Sequence, residues 1–342
     1  MRHSAQRLRV SVGVFGLVTA VGLSQIALDA QTPKPASGAR ASVPRTPDGR
    51  PNLQGTWSFA TVTPLQRPKE FEGREKLTAD EVAKLEGRAV ETQFVDQPPP
   101  KGQTGAYNRF WMDTGTRVIS THRSSLIVDP PDGRLPPLTP QGQERQKKLD
   151  AIQEGAAQPQ DLTSWDRCLL GFNAGPPMIG GGYNAYVQVF QSSEKVALVN
   201  EMVHDARIIP VDAQSTLPKN LRQWRGISRG RWEGQTLIVE TSGFRPEGTG
   251  TLSLRGFGNT PDENLRLTER FSLMDADTLL YEYTVDDPTV WTKPWTVSQT
   301  MWRTEQPVYE YACHEGNHGM RGILAGAREL EKHGGSTTGS KP

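Results

Sequence analysis

The 342-residue chain is short of several things, and each shortage narrows what it can be. It has only two cysteines, Cys168 and Cys313. It lacks a charge excess: 39 Lys and Arg stand against 38 Asp and Glu. If the N-terminal segment described below is removed, Arg2, Arg7, Arg9 and Asp29 go with it and the balance becomes 36 against 37. Such parity gives no support to a nucleic-acid or anionic-membrane partner, which needs a basic face. No repeat of fixed period is present. There is no G-x-S-x-G elbow, and Gly180-Gly181-Gly182 lacks the Lys-Ser/Thr that completes a phosphate loop.

The one long apolar run, Val10 to Leu28, is interrupted by Ser11, Thr19, Ser24 and Gln25 and is preceded by three arginines. Basic start, short apolar stretch and a small residue at Ala30 make a secretory signal over residues 1–30, not a retained membrane span. No cysteine follows the run to accept a lipid. Residues 31–50 are rich in Pro, Ser and Gly and read as a flexible linker, and 334–342 as a disordered tail. The expected location is periplasmic or secreted. In that oxidising setting Cys168 and Cys313 are expected to bond to each other. The bridge would close a loop of about 145 residues, worth roughly 4–5 kcal/mol on chain-entropy reasoning.

Residues 51–333 read as one β-rich domain: 51–165 with helices, then 166–333 as an antiparallel meander and a closing helix. Leu53–Thr63 is an opening strand. Thr78 with Glu81 forms a capping box for a helix that fades near Asp96, and Thr139-Pro140 starts a second helix reaching about Gln153 with few apolar positions, Leu149 and Ile152. Phe110–Val128 holds strand-like pieces. Strands follow at Tyr183–Phe190, Val196–Val203, Ala206–Val211, Ile227–Trp232, Thr236–Thr241, Leu265–Leu273, Thr278–Val285, Trp295–Arg303 and Val308–Cys313. Glu233-Gly234 and Asp275-Ala276-Asp277 mark tight turns between them. A last helix spans Asn317–Lys332. Short strands with hairpin links predict a mainly β fold, an antiparallel meander forming a barrel or sandwich with peripheral helices.

The segments SLIVDPPDGRLPPLTP (Ser125–Pro140), DRCLLGFNAGPP (Asp166–Pro177), VHDARIIPVD (Val203–Asp212), SRGRWEGQTLIVET (Ser228–Thr241), VDDPTVWTKPWT (Val285–Thr296) and YEYACHEGNHGM (Tyr309–Met320) resemble an uncharacterised family of exported bacterial proteins. That resemblance implies export and a shared fold, and it brings no activity. Gly55-Thr56-Trp57 is also similar to the Gly-x-Trp of lipocalin-type barrels, whose Trp packs beneath an Arg from the far end of the barrel. Arg303 lies on a late strand where such a partner would stand. Unlike a lipocalin, this chain puts about 125 residues between Trp57 and the regular meander.

Candidate chemistry divides among three places. His314-Glu315-Gly316-Asn317-His318 formally matches H-E-x-x-H, in which a helix puts two zinc-ligating histidines on one face. Gly316 and Gly319 favour a turn instead, and no third ligand follows. A tetrahedral zinc site from Cys168, Cys313, His314 and His318 competes with the disulfide; no cofactor is expected. His204-Asp205 with Arg207 could supply a base, a carboxylate and an anion contact, but neighbours on an extended chain point to opposite faces. Asp286-Asp287-Pro288 and Ser192–Lys195 read as turns. Arg222, Arg225, Arg229 and Arg231, interleaved with Trp224 and Trp232, read as the polar side of strands with Arg stacked on Trp, in preference to an anion-binding patch. Trp295 and Trp302, an odd number of residues apart, should face opposite ways.

The function these features favour is binding of a small or partly apolar ligand inside a barrel-like domain, with Arg207, Trp295 and Arg303 as contacts. The alternatives are a hydrolase or other enzyme at His314, Glu315 and His318 or at His204 and Asp205, and a non-catalytic envelope interaction protein.

Overall fold

The computed structural model describes residues 43–95, 112–154, 158–212, 220–245 and 263–333, with backbone only for 148–154. The expected signal segment, the loop at 97–105, the start of the Phe110–Val128 segment, the side chains of Leu149 and Ile152, and the tail lie outside these residues.

The fold is mainly β. Ten strands, β1 (Gly55–Ser58), β2 (Ile127–Asp129), β3 (Tyr186–Gln191), β4 (Lys195–Asn200), β5 (Ala206–Pro210), β6 (Ile227–Glu233), β7 (Thr236–Ser242), β8 (Arg266–Leu273), β9 (Thr278–Asp286) and β10 (Trp295–Thr304), form one antiparallel sheet. Among the described residues three α-helices accompany it: α1 (Ala79–Thr92), α2 (Pro140–Glu154) and α3 (His318–Lys332). The capping box at Thr78 and Glu81 is formed, and Asn317 caps α3. Gly234 takes φ +61° in the two-residue turn between β6 and β7, a conformation a side chain would disfavour.

The strand order is β5-β4-β3-β1-β10-β9-β8-β7-β6, with β2 also paired to β10. The expected antiparallel meander forms, with β1 inserted between its first and last parts. Two meanders, β3–β5 and β6–β10, are joined by β1, which runs between β3 and β10. Val308–Cys313 is not a strand. Its backbone is held by side chains from the β4–β5 turn: Tyr309 N donates to Glu201 Oε2 (3.1 Å), and Tyr309 O faces His204 Nδ1 (3.0 Å). The edge strands β5 and β6 meet at a single parallel bridge, Val211–Gly230, with Asp212 N donating to Gly230 O (2.9 Å). No ladder continues from it, so the sheet is not closed and fits an open or sandwich-like form rather than a completed barrel.

The inner face is a packed core. Val187, Val189, Val196, Leu198, Ile209, Leu237, Val239, Phe271, Tyr281, Tyr283, Trp295 and Val297 are buried in one cluster with Trp57. Residues 43–50, expected to be linker, belong to the domain: Arg50 pairs with Asp212 (3.0 Å) and lies over the Trp232 ring, while Arg45 reaches Gln235 (2.8 Å).

Trp57 sits at the junction of the two meanders. Its indole N–H donates to Leu53 O (2.9 Å), and the Arg303 guanidinium lies 4.3 Å from its ring centroid. Arg303 in turn donates to Gln54 O (2.8 Å) and Ala276 O (2.9 Å). Gly55 makes room for this arrangement: it has φ +130°, and a Cβ there would come 2.2 Å from Arg303 Nη1. Gly55→Ala should displace the guanidinium and destabilise the domain by about 1–3 kcal/mol, read by denaturant unfolding. An unchanged midpoint would show that the glycine is dispensable.

Candidate functional site

The residues singled out from sequence do not converge on one place. Trp295 is fully buried in the core, whereas Trp302 stands half-buried on the other face near Arg117. Arg303 is committed to Trp57 and two carbonyls, as described. Trp295 is packed in the core cluster, Arg207 lies in a polar network with Glu269, and Arg303 is held against Trp57.

Arg207, on β5, points inward into a buried polar network. Its Nε donates to Ser228 Oγ (2.8 Å), Nη2 to Thr241 Oγ1 (2.8 Å), and the Nη1/Nη2 fork grips both oxygens of Glu269, with Nη1–Oε1 at 3.0 Å. Glu269 is fully buried, and the Tyr281 hydroxyl donates to its Oε1 (2.8 Å). The same hydroxyl accepts from Met178 N (3.1 Å). Burial, and then the Glu269 carboxylate, push the Tyr281 pKa well up. Tyr283 is pushed up for the same reasons, yet its hydroxyl has no hydrogen-bond partner among the described residues.

His204 and Asp205 part company. Val203 and His204 both adopt positive φ in the turn, which sends His204 towards Tyr309 and Asp205 towards Arg225. They form no dyad. The cysteines are bonded to each other, with a Cα–Cα distance of 5.7 Å, which removes both sulfurs from the Cys168, Cys313, His314 and His318 zinc reading. His314 and Glu315 are exposed on a turn, and His318 is the first residue of α3, so the two histidines do not share a helical face. Among the described residues no group of three or more His, Cys, Asp or Glu is placed to hold a metal ion. Ser192 organises the β3–β4 turn by accepting from Glu194 N and Lys195 N, and Asp287 Oδ1 accepts from Thr289 N (3.0 Å).

What the structure does assemble is a cleft of about 590 Å³ at the β5–β6 seam. Among the described residues its lining carries five arginines, Arg207, Arg222, Arg225, Arg229 and Arg245, and one carboxylate, Asp205, with Glu263 3.9 Å from Arg222. Arg207 is matched by Glu269, whereas Arg225 is poorly matched. Its side chain is only 10 % exposed, and Asp205 Oδ2 lies 3.0 Å from its Nε without the alignment of a hydrogen bond. The Nη1 and Nη2 groups have no hydrogen-bond partner among the described residues. Burial lowers the Arg225 pKa, Asp205 opposes that, and the Arg207 charge adds to it. A desolvated cation beside further cations is costly to leave unpaired.

The arginine cluster was visible in sequence, but its expected form was different. Arg231 lies outside the cleft, paired with Glu233 and Glu240 at 2.9 Å each. The tryptophans are covered by arginines from elsewhere: Arg167 and Arg245 lie 5.8 and 5.0 Å from the Trp224 centroid, and Arg50 covers Trp232. Leu169 and Leu170 complete a wall of the cleft next to the disulfide. Arg245 and Leu170 are far in sequence from the Arg222–Arg229 run, and no local signal marks them as its neighbours.

Glu269→Gln leaves the Arg207 cation buried with a neutral partner and should cost about 3–5 kcal/mol. Tyr283→Phe, which removes an unpartnered hydroxyl, should leave stability unchanged or raise it. Thermal unfolding of both variants checks the contrast, and a Tyr283→Phe loss as large as that of Glu269→Gln would contradict it. Among the described residues no helix is long and apolar enough to cross a membrane. No family model, curated protein or solved structure matches the chain.

Proposed function

We propose that this is an exported, periplasmic or secreted, protein that binds a small anionic ligand in the arginine-lined cleft at the β5–β6 seam. The observation that carries the reading is Arg225: a nine-tenths buried guanidinium whose terminal nitrogens have no hydrogen-bond partner among the described residues, in the lining of a cleft with four other arginines. A guanidinium fork matches the two oxygens of a carboxylate or phosphate, and a partly desolvated site strengthens that pairing. The disulfide and the resemblance to an exported family support the compartment. The lipocalin-like resemblance rests on the Gly55, Trp57 and Arg303 arrangement, and it supports a ligand-binding role by analogy of scaffold only. The ligand lies at the seam on this reading, and not in the interior.

The test is calorimetric titration of the mature protein with inorganic phosphate and with acetate at low salt. Binding in the millimolar range, about 4 kcal/mol, is expected for such small probes. Arg225→Met should weaken it at least tenfold while leaving the melting temperature unchanged or higher, since the substitution removes an ill-paired buried charge. Anion binding that survives Arg225→Met, or none at all in the unsubstituted protein, would overturn the reading.

A further inference from the structure

The outer face of the three strands beside the cleft carries an apolar row between Gln188 and Lys195. Strand alternation puts Val187, Val189, Val196, Leu198 and Ile209 inside, so Phe190, Ala197, Val199, Ala206 and Ile208 face out. Pairing aligns them into rows: Phe190 opposite Ala197 and Ala197 opposite Ile208, with Val199 opposite Ala206 next to them. Phe190 and Ile208 are 49 % and 54 % exposed. Two interstrand steps make the Ile208–Ala197–Phe190 row about 10 Å long, the reach of a medium-length alkyl chain. The row also runs into the cleft, because Ala206, Ile208 and Pro210 belong to its lining together with Arg225.

We infer that the ligand is a single-chain anionic amphiphile, its oxyanion held in the arginine cleft and its alkyl chain laid across Ile208, Ala197 and Phe190. This rests on the anion-binding reading above and adds the chemistry of the ligand's other end. Two features joined end to end argue for it: a positive cleft that selects a negative head, and an exposed apolar row that starts within the cleft lining and leads away from it. An isolated exposed leucine or phenylalanine needs no explanation, but a contiguous row on one sheet face leading from a charged cleft does. A purely polar anion would leave the row in water.

Titration of the mature protein with decanoate, acetate and decanol, each below the concentration at which it self-associates, tests this. Decanoate should bind at least tenfold more tightly than either acetate or decanol. Phe190→Ser should lower decanoate affinity several-fold and leave acetate affinity unchanged, since Phe190 is exposed and stands outside the cleft lining. Arg225→Met should weaken both anions. If decanoate binds no better than acetate while acetate still depends on Arg225, the amphiphile inference fails and the anion site stands. If neither anion depends on Arg225, both fail together. Decanol equal to decanoate, or cosedimentation with phosphatidylglycerol vesicles that decanoate does not compete away, would overturn the inference in favour of a plain apolar patch or a membrane surface.

Discussion

The seam between the two edge strands is held by a side chain where a ladder would ordinarily do the work. Arg207 leaves β5, crosses the inner side of the gap and bonds to Ser228 on β6, Thr241 on β7 and Glu269 on β8. Backbone pairing contributes one bridge at the Val211 end. A buried ion pair of this kind adds little net stability over apolar packing, but it is directional and fails badly if one partner is lost. That directionality lets β5 and β6 stay close without pairing along their lengths. The gap left on the outer side is the cleft, and the cation beside it, Arg225, faces the Arg207 charge with only a half-exposed carboxylate in compensation.

Much of this architecture was legible in the residues. Short runs rich in Val, Ile, Leu, Thr and aromatics between turns located eight of the strands to within a few positions. The capping box at Thr78 and Glu81, the Glu233-Gly234 turn and the bond between Cys168 and Cys313 are local or compositional signals, and the structure contains all three. The Gly-x-Trp pattern pointed to Arg303, and that contact is present. The misses have a common cause. Val308–Cys313 has strand composition but is held by the Glu201 and His204 side chains across a turn, and composition does not distinguish a ladder from such a clasp. The insertion of β1 between the two meanders was not legible either, because sequence separation says little about which strand fills such a gap.

The cleft was the harder feature. The Arg222–Arg231 run drew notice for its charge, yet from sequence alone stacking on its own tryptophans was the preferred account of it. Only the fold shows that Trp224 and Trp232 take their arginines from 167, 245 and 50, leaving Arg225 buried against Asp205. The partners arrive from β5, from Phe244-Arg245 after β7 and from the segment that the disulfide anchors. A site at the meeting of strand edges is assembled from residues that no local pattern links.

The position of β1 also bears on how the chain comes to be folded. Trp57 pairs with Val187, 130 residues later, and with Arg303, 246 residues later, so the earliest strand to be synthesised is among the last to find both neighbours. Contacts so distant along the chain close large loops and slow the search for the native state. Until β10 is available, β1 has an unpaired edge and an exposed tryptophan, and the two halves of the sheet have nothing between them. A chain with this wiring stays unfinished until β10 has emerged, so the sheet is completed from its middle and not from either edge.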